Sequence, residues 1–491
     1  MAGFDVVVAG GRVIDPETGL DRIGDVGIGG GSIAAVSASP LPGRVRLDAA
    51  GLVVAPGFID LHSHAQTVPS LRMQALDGVT TALELEAGGY PLAAAYQAAD
   101  DEGRPINYGF AASWIGARLA VLEGAQLDGS FAAIAAAMGG PGWRGLVDGP
   151  TAAGILGEVD AELGEGGLGI GLMPGYAPES NREEYLAMAA LAARRQVPTY
   201  SHVRHGHARE PGSCVEGVGE LVQVAAMTGA HMHLCHVNST GWRRAPELLE
   251  LLGRAKGFGL RLSTEMYPWG AASTVMGAPF LDPANLDHTG IGPQDMFDAT
   301  RGRRVRDLED LAAIRRDTPG DIGVFHFLDE TAEGDLAVLD DVLAHPDVAV
   351  ATDAIPYLRE GRPVQGEVWP LPGDALAHPR LAGTFCRVLR QVRERRVLTL
   401  PEAIRRMTLV PAQVVEAAAP DARRKGRLQP GRDADLVAFD PDTVTEAATY
   451  DDPRAPSRGM RHVLVGGVPL VRDGRLDTTV LPGRPLRGHG R

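Results

Sequence analysis

The chain has 491 residues, 44% of them hydrophobic and 22% charged, the balance of a soluble globular protein. A formal net charge of −15 argues against nucleic acid or an anionic membrane as partner, and leaves a small-molecule substrate open. No basic segment followed by an apolar one opens the chain, and no run of about 18 apolar residues occurs later, so neither secretion nor membrane spanning is indicated. The three cysteines, Cys214, Cys235 and Cys386, are odd in number and far apart, as expected of reduced thiols in the cytoplasm.

Residues 5–10, 12–15, 25–29 and 32–37 read as short strands, separated by turn chemistry such as Asp15-Pro16-Glu17-Thr18-Gly19. The same texture returns at 431–440 and 463–471. The two ends are therefore expected to pair into one small β domain, residues 1–55 with 425–480. The intervening 56–424 alternates apolar strands with helical segments, the pattern of β/α units around a parallel sheet. Strands are predicted at 57–64, 79–86, 107–113, 168–172, 198–202, 231–236, 260–267 and 348–353. Helices are predicted at 182–195, 217–228 and 400–407. Eight strands between helices point to a (β/α)8 TIM barrel. The mixed stretch 277–345 is too long for a plain connection and reads as an inserted lid over the barrel mouth. The Arg/Gly-rich tail 483–491 is expected to be mobile.

Within Pro56-Gly57-Phe58-Ile59-Asp60-Leu61-His62-Ser63-His64, strand alternation turns His62 and His64 to one side, where both can reach one divalent metal. Active sites of such barrels collect at the C-terminal ends of the strands. Those ends carry His62 and His64, Glu84 and Glu86, His202, His236 and Asp353, a nitrogen and oxygen set that suits zinc. A metal there lowers the pKa of water and polarises a carbonyl, with Asp353 placed to take and return a proton. His231 and His233 share a strand with His236, which is preferred as ligand because it lies nearest the strand end. His205 and His207 follow His202 as loop residues.

The first of these stretches resembles the first-strand signature of the amidohydrolase superfamily, and the chain as a whole resembles the N-acyl-D-amino acid deacylases, or D-aminoacylases. Supporting matches are Gly78-Val79-Thr80-Thr81, Tyr200-Ser201-His202-Val203-Arg204, Met266-Tyr267-Pro268-Trp269, His378-Pro379-Arg380 and Gly426-Arg427-Leu428. The resemblance implies a β-sandwich beside the barrel, one or two zinc ions (other divalent transition metals being possible), and hydrolysis of the amide joining an acyl group to a D-amino acid. It implies His62, His64 and Asp353 at one metal position and His202 and His236 at the other, with Asp353 as general acid/base. It implies roles in substrate recognition or carbonyl polarisation for Arg204, Tyr267 and Arg380.

Two departures stand out. The family's bridging cysteine falls at about Ala87, within Glu84-Leu85-Glu86-Ala87-Gly88-Gly89, so a glutamate is the economical replacement, and Glu86 is favoured over Glu84. A carboxylated lysine is not expected, because Lys256 and Lys425, the two lysines present, lie off the predicted strands. The family's lysine after the last histidine ligand is Asn238, which can hydrogen-bond substrate but carries no charge. An amidohydrolase acting on a cyclic amide, a ureido compound or a small peptide is the alternative activity, and a catalytically silent scaffold is the remaining one.

Overall fold

The computed structural model describes residues 3–206 and 208–489, so His207 lies outside the described residues. The chain opens with β1 (Phe4–Asp15) and β2 (Leu20–Gly29), paired antiparallel. Asp15 holds the turn between them: its carboxylate accepts from the Thr18 amide at 3.1 Å and hydroxyl at 2.6 Å, and Gly19 takes a φ of 72°. β3 (Ser32–Ser37) extends the sheet from β2. β4 (Gly43–Asp48) pairs with the first half of β1 and β5 (Val53–Pro56) with its second half. One long strand thus serves two partners.

The expected barrel comes next in the chain. Its strands are β6 (Phe58–Asp60), β7 (Val79–Gly89), β8 (Asn107–Ser113), β9 (Ile170–Leu172), β10 (Thr199–Ser201), β11 (Met232–Leu234) and β12 (Leu262–Met266), all parallel and in sequential order. Every residue of β7 is buried, as in strands covered on both faces. The helices between them match the sequence reading at Arg182–Arg195 and Leu400–Met407. A third begins at Cys214, three residues earlier than expected, because Ser213 and Glu216 form a capping box; it stops at Thr228 against left-handed Gly229.

The excursion over the barrel mouth begins at once after β12. β13 (Ala271–Val275), β14 (Met296–Asp298), β15 (Arg303–Arg304) and β16 (Ile322–His326) form an antiparallel sheet in the order β13-β16-β14-β15. Its first strand starts six residues before the 277 predicted from sequence, and 333–344 is instead a helix leading into β17 (Val348–Val350). β17 pairs with β12, and the ring closes where the Asp353 amide donates to the His62 carbonyl at 2.7 Å and Ser63 bridges Ala354.

After a short hairpin, β18 (Leu358–Arg359) and β19 (Arg362–Pro363), the chain returns to the first sheet as β20 (Leu436–Phe439), β21 (Met460–Val465), β22 (Val468–Arg472) and β23 (Arg475–Leu476). The expected sandwich takes the form of one nine-stranded sheet from both ends, β23-β22-β21-β20-β5-β1-β2-β3 with β4 beside β1. Val8, Val26, Leu47, Leu436 and Leu464 share its core.

The described part of the C-terminal tail corrects the expectation of mobility. The Gly483 amide donates to the Arg104 carbonyl and the Leu486 amide to the Tyr108 carbonyl, while the Arg487 guanidinium lies 3.9 Å from the Tyr96 ring centroid. The tail glycines permit this approach, since a Cβ on Gly483 would meet the Ile106 carbonyl oxygen at 2.1 Å. Among the described residues no helix is long and apolar enough to cross a membrane.

Candidate metal centre

Asp60 ends β6 and anchors the histidine pair beyond it. One of its oxygens accepts from the amides of His62 at 3.2 Å and Thr352 at 2.9 Å, tying the first strand to the last. Burial pushes its carboxyl up to about 7, against the hydrogen bonds from Thr352. The regular strand ends at Asp60, short of the predicted 64, and pairing continues only as single bridges, His62 to Glu84 and Ser63 to Ala354.

Four donor atoms converge there. His62 Nε2 lies 3.2 Å from His64 Nε2, 3.2 Å from Glu86 Oε2 and 3.4 Å from Asp353 Oδ1. His64 Nε2 lies 3.7 Å from Glu86 Oε2 and 3.6 Å from Asp353 Oδ1. Two donors each about 2.0–2.1 Å from one tetrahedral ion stand about 3.3–3.4 Å apart, so the His62, His64 and Asp353 trio fits a single zinc-sized cation, with Glu86 close beside both rings. The other Glu86 oxygen, Oε1, lies 2.8 Å from His236 Nε2 and 3.1 Å from His202 Nδ1, a second donor set that shares the same carboxylate. The chemistry of both sets, imidazole with carboxylate, suits a divalent ion.

Glu86 reaches this position by a bulge. The β7–β8 register runs from Glu84 opposite Phe110 to Gly89 opposite Ala112, so extra residues of β7 stand out at its end. Gly88 allows it with a φ of 69°, where a Cβ would meet the Ala111 carbonyl oxygen at 2.5 Å. Glu84 takes a different task, 2.8 Å from His64 Nδ1. Burial opposes ionisation of Glu86, yet His62 and His236 hold its carboxyl well below the usual range. Burial likewise pushes Asp353 up, and Arg380 and His62 outweigh it to leave the carboxyl lowered. Asp353 and His236 both carry left-handed backbone, φ 51° and 33°, conformations costly for residues other than glycine and often stored at functional sites.

Sequence reasoning missed Glu265 and Cys235. Glu265 on β12 has Oε1 2.6 Å from His62 Nδ1 and Oε2 3.1 Å from His233 Nε2. A carboxylate on one ring nitrogen fixes the tautomer and turns the other nitrogen toward a metal. Cys235 is buried, and with His62 and Glu265 makes a third close trio. The signal available was strand alternation, which places Glu265 between Ser263 and Tyr267 on one face of β12.

The four expected substrate contacts divide. Arg204 is fully committed: Nε and Nη2 donate to Glu220, at 2.9 Å for Nε, and Nη1 to the Pro178 and Ser180 carbonyls. It lines the cavity with each of its three nitrogens already engaged. Asn238 is turned into the fold, its amide donating to the Tyr267 carbonyl at 2.9 Å, so it braces Tyr267 instead of meeting substrate. Arg380 and Tyr267 differ. Arg380 Nη1 is 3.0 Å from Asp353 Oδ2 as an ion pair, but Nε and Nη1 have no hydrogen-bond partner, and neither does the buried Tyr267 hydroxyl. The Arg380 guanidinium sits 4.6 Å from the Tyr267 ring centroid. Burial raises the Tyr267 phenol, against the charge of Arg380, so it stays a donor at neutral pH. Neither lysine reaches the site: Lys256 pairs with Asp347 and Lys425 with Asp433 and Asp435.

Above the donors opens a cavity of about 380 Å³, lined by Glu86, His202, His236 and Asp353 below and by Tyr176, Phe280 and Phe325 from the flank and lid. His205 lines it as well.

A sequence profile of the amidohydrolase family matches residues 127–471. The chain is 31% identical to an N-acyl-D-glutamate deacylase of Alcaligenes xylosoxydans xylosoxydans, over 99% of this chain and 96% of the relative. It is 30% identical to an N-acyl-D-aspartate deacylase of the same organism, over 99% and 95%. A crystal structure of N-acyl-D-glutamate deacylase from Bordetella bronchiseptica, complexed with zinc and a phosphonate that mimics the tetrahedral intermediate, has a TM-score of 0.77 at 27% identity and covers 99% of this chain and all of its own.

Proposed function

This chain belongs to the amidohydrolase family, and from that premise we propose that it hydrolyses the amide of N-acyl-D-amino acids with a zinc ion in its barrel mouth. His62, His64, Asp353 and Glu86 would hold one ion, and Glu86 with His202 and His236 a second. A divalent ion held by such donors acidifies water and polarises a carbonyl. The observation that carries this reading is the set of donor spacings between 3.2 and 3.7 Å around His62 and His64, with Glu86 common to both groups.

The protein's own side chains do the rest. Asp353, kept ionised beside Arg380, would take a proton from the attacking water and return it to the departing amine nitrogen. Tyr267, with its free hydroxyl, donates to the substrate carbonyl oxygen as negative charge develops there. Arg380, whose Nε is unpartnered while Nη1 pairs with Asp353, receives the α-carboxylate of the amino acid. Arg204 and Asn238 act as braces behind that site. We further take residues 1–55 with 425–480 as one unit and 56–424 as the catalytic one. The three buried, unpaired cysteines favour the cytoplasm as the compartment.

The test is turnover of N-acetyl-D-amino acids, their L-enantiomers and hydantoins by zinc-loaded protein. D-selective deacylation, lost with a chelator and restored by zinc, is expected. Ring opening of hydantoins without D-deacylation would instead assign the cyclic-amide activity.

A further inference from the structure

The deacylase reading requires a cation for the α-carboxylate, and it leaves open what side chain the amino acid bears. The cavity counts its cations strictly. Among the described residues lining it, Arg204 is the one arginine, and no lysine is present. Glu220, Pro178 and Ser180 engage all three nitrogens of Arg204, and both Glu220 oxygens lie on its guanidinium. His205 also lines the space, and burial together with the charge of Arg204 lowers it, so it is neutral near pH 7. Arg380 is not among the lining residues and lies fully buried behind Asp353, where its Nε is unpartnered; on the deacylase reading one α-carboxylate claims it. A second carboxylate, on the side chain and away from the metal donors, would meet no free cationic side chain among the described lining residues.

The walls on either side of the donor set are apolar. Phe131 stacks on the His64 ring with centroids 4.3 Å apart, and Phe280 on the His202 ring at 5.7 Å. Leu281, Ile291 and Phe325 add aliphatic and aromatic surface from the lid, and Met138 and Met173 supply pliable filling. Ser239, Thr240, Ser273, Thr274, Asn285 and Thr289 are polar residues of the lining, and none of them carries a charge. We propose that the substrate is a monoanion, an N-acyl-D-amino acid whose side chain is uncharged and apolar, lodged against the aromatic lid, and that acidic D-amino acids are rejected.

The proposal rests on the deacylase reading and departs from the names of the relatives with 31% and 30% identity, which act on D-glutamate and D-aspartate derivatives. An unpaired carboxylate in a largely desolvated site is disfavoured far more than a missing methylene is. The test is kcat/KM of zinc-loaded protein with N-acetyl-D-leucine, -methionine, -glutamine, -glutamate and -aspartate. Glutamine matches glutamate in shape and isolates charge from size. The leucine and methionine derivatives are expected to exceed glutamate by about a hundredfold or more, and glutamine to exceed it by at least about tenfold. Glutamate or aspartate turned over as fast as glutamine would overturn the monoanion proposal while leaving the deacylase reading intact. Hydrolysis of none of the five would overturn that reading, and this proposal with it.

Discussion

β11 and the residues on either side of it carry three histidines within six residues, and they divide between two groups with different chemistry. His236 stands at the mouth with His62, His64 and His202, while His231 and His233 lie deeper in the barrel. In the deeper group His233 is satisfied at both ring nitrogens, Nδ1 2.8 Å from the Ser263 hydroxyl and Nε2 3.1 Å from Glu265. His231 Nε2 lies 2.8 Å from the same hydroxyl. At the mouth each supported ring is satisfied on one side alone: His62 by Glu265 and His64 by Glu84, both through Nδ1. Their Nε2 atoms face Glu86, Asp353 and each other. A ligand histidine is thus distinguished by a half-satisfied ring aimed at shared carboxylate oxygens, and proximity to the strand end is a consequence of that. Glu265 belongs to both groups, one oxygen to each.

The largest effect expected from this division is on Asp353. Asp353→Asn keeps the shape but removes the proton acceptor beside Arg380, and kcat on an N-acetyl-D-amino acid should fall about 10³-fold. Zinc content measured on the same preparation separates lost chemistry from lost metal. Activity close to that of the parent would remove Asp353 from the acid–base role.

A middle effect belongs to the residue shared by the two groups. In Glu265→Gln one oxygen becomes an amide donor, so either His62 Nδ1 or His233 Nε2 loses its acceptor. If orientation of His62 matters for the metal, zinc affinity in a chelator competition drops about 10–100-fold. Ser263→Ala, which touches His231 and His233 alone among the histidines, should leave that affinity unchanged.

The sequence revealed much of this molecule and stopped where contacts become long-range. Eight apolar strands spaced by helices identified the barrel, and His62 and His64 on one face marked the mouth. Alternation put Glu84 and Glu86 on the same side and could not divide their tasks, because the division comes from the bulge that Gly88 permits. Arg204 looked like a carboxylate reader until Glu220 was found sixteen residues away with its oxygens on the guanidinium. Asn238 looked like a substrate contact because its role as a brace depends on the Tyr267 backbone. Glu265 gave no ligand signal, since its partner His62 lies 203 positions earlier. Local patterns announce elements; they are silent on which polar atoms are already taken.

The smallest effect, and the one that separates the two groups most sharply, is expected at His231. His231→Gln should cost about 1 kcal/mol at pH 7.5 through its single hydrogen bond, with no change in zinc affinity. Its signature lies in pH. Burial, reinforced by the charges of His233, Arg261 and Lys256, lowers the ring to about 3. In the unfolded chain it takes its proton near pH 6.5, so below that pH the unfolded state binds a proton that the folded state refuses. The contribution is fully present above pH 6.5 and is lost as pH falls toward 3. By pH 5 the loss is about 2 kcal/mol at most, and less because the ring is partly solvent-exposed. Urea unfolding of parent and variant at pH 7.5 and pH 5 reads it as a smaller acid-induced drop in the variant. Acid also releases metal from the mouth histidines, but that loss is common to both proteins and cancels in the comparison. Equal drops would mean that His231 titrates like a free imidazole, and the deeper histidines would then not form a group apart from the mouth.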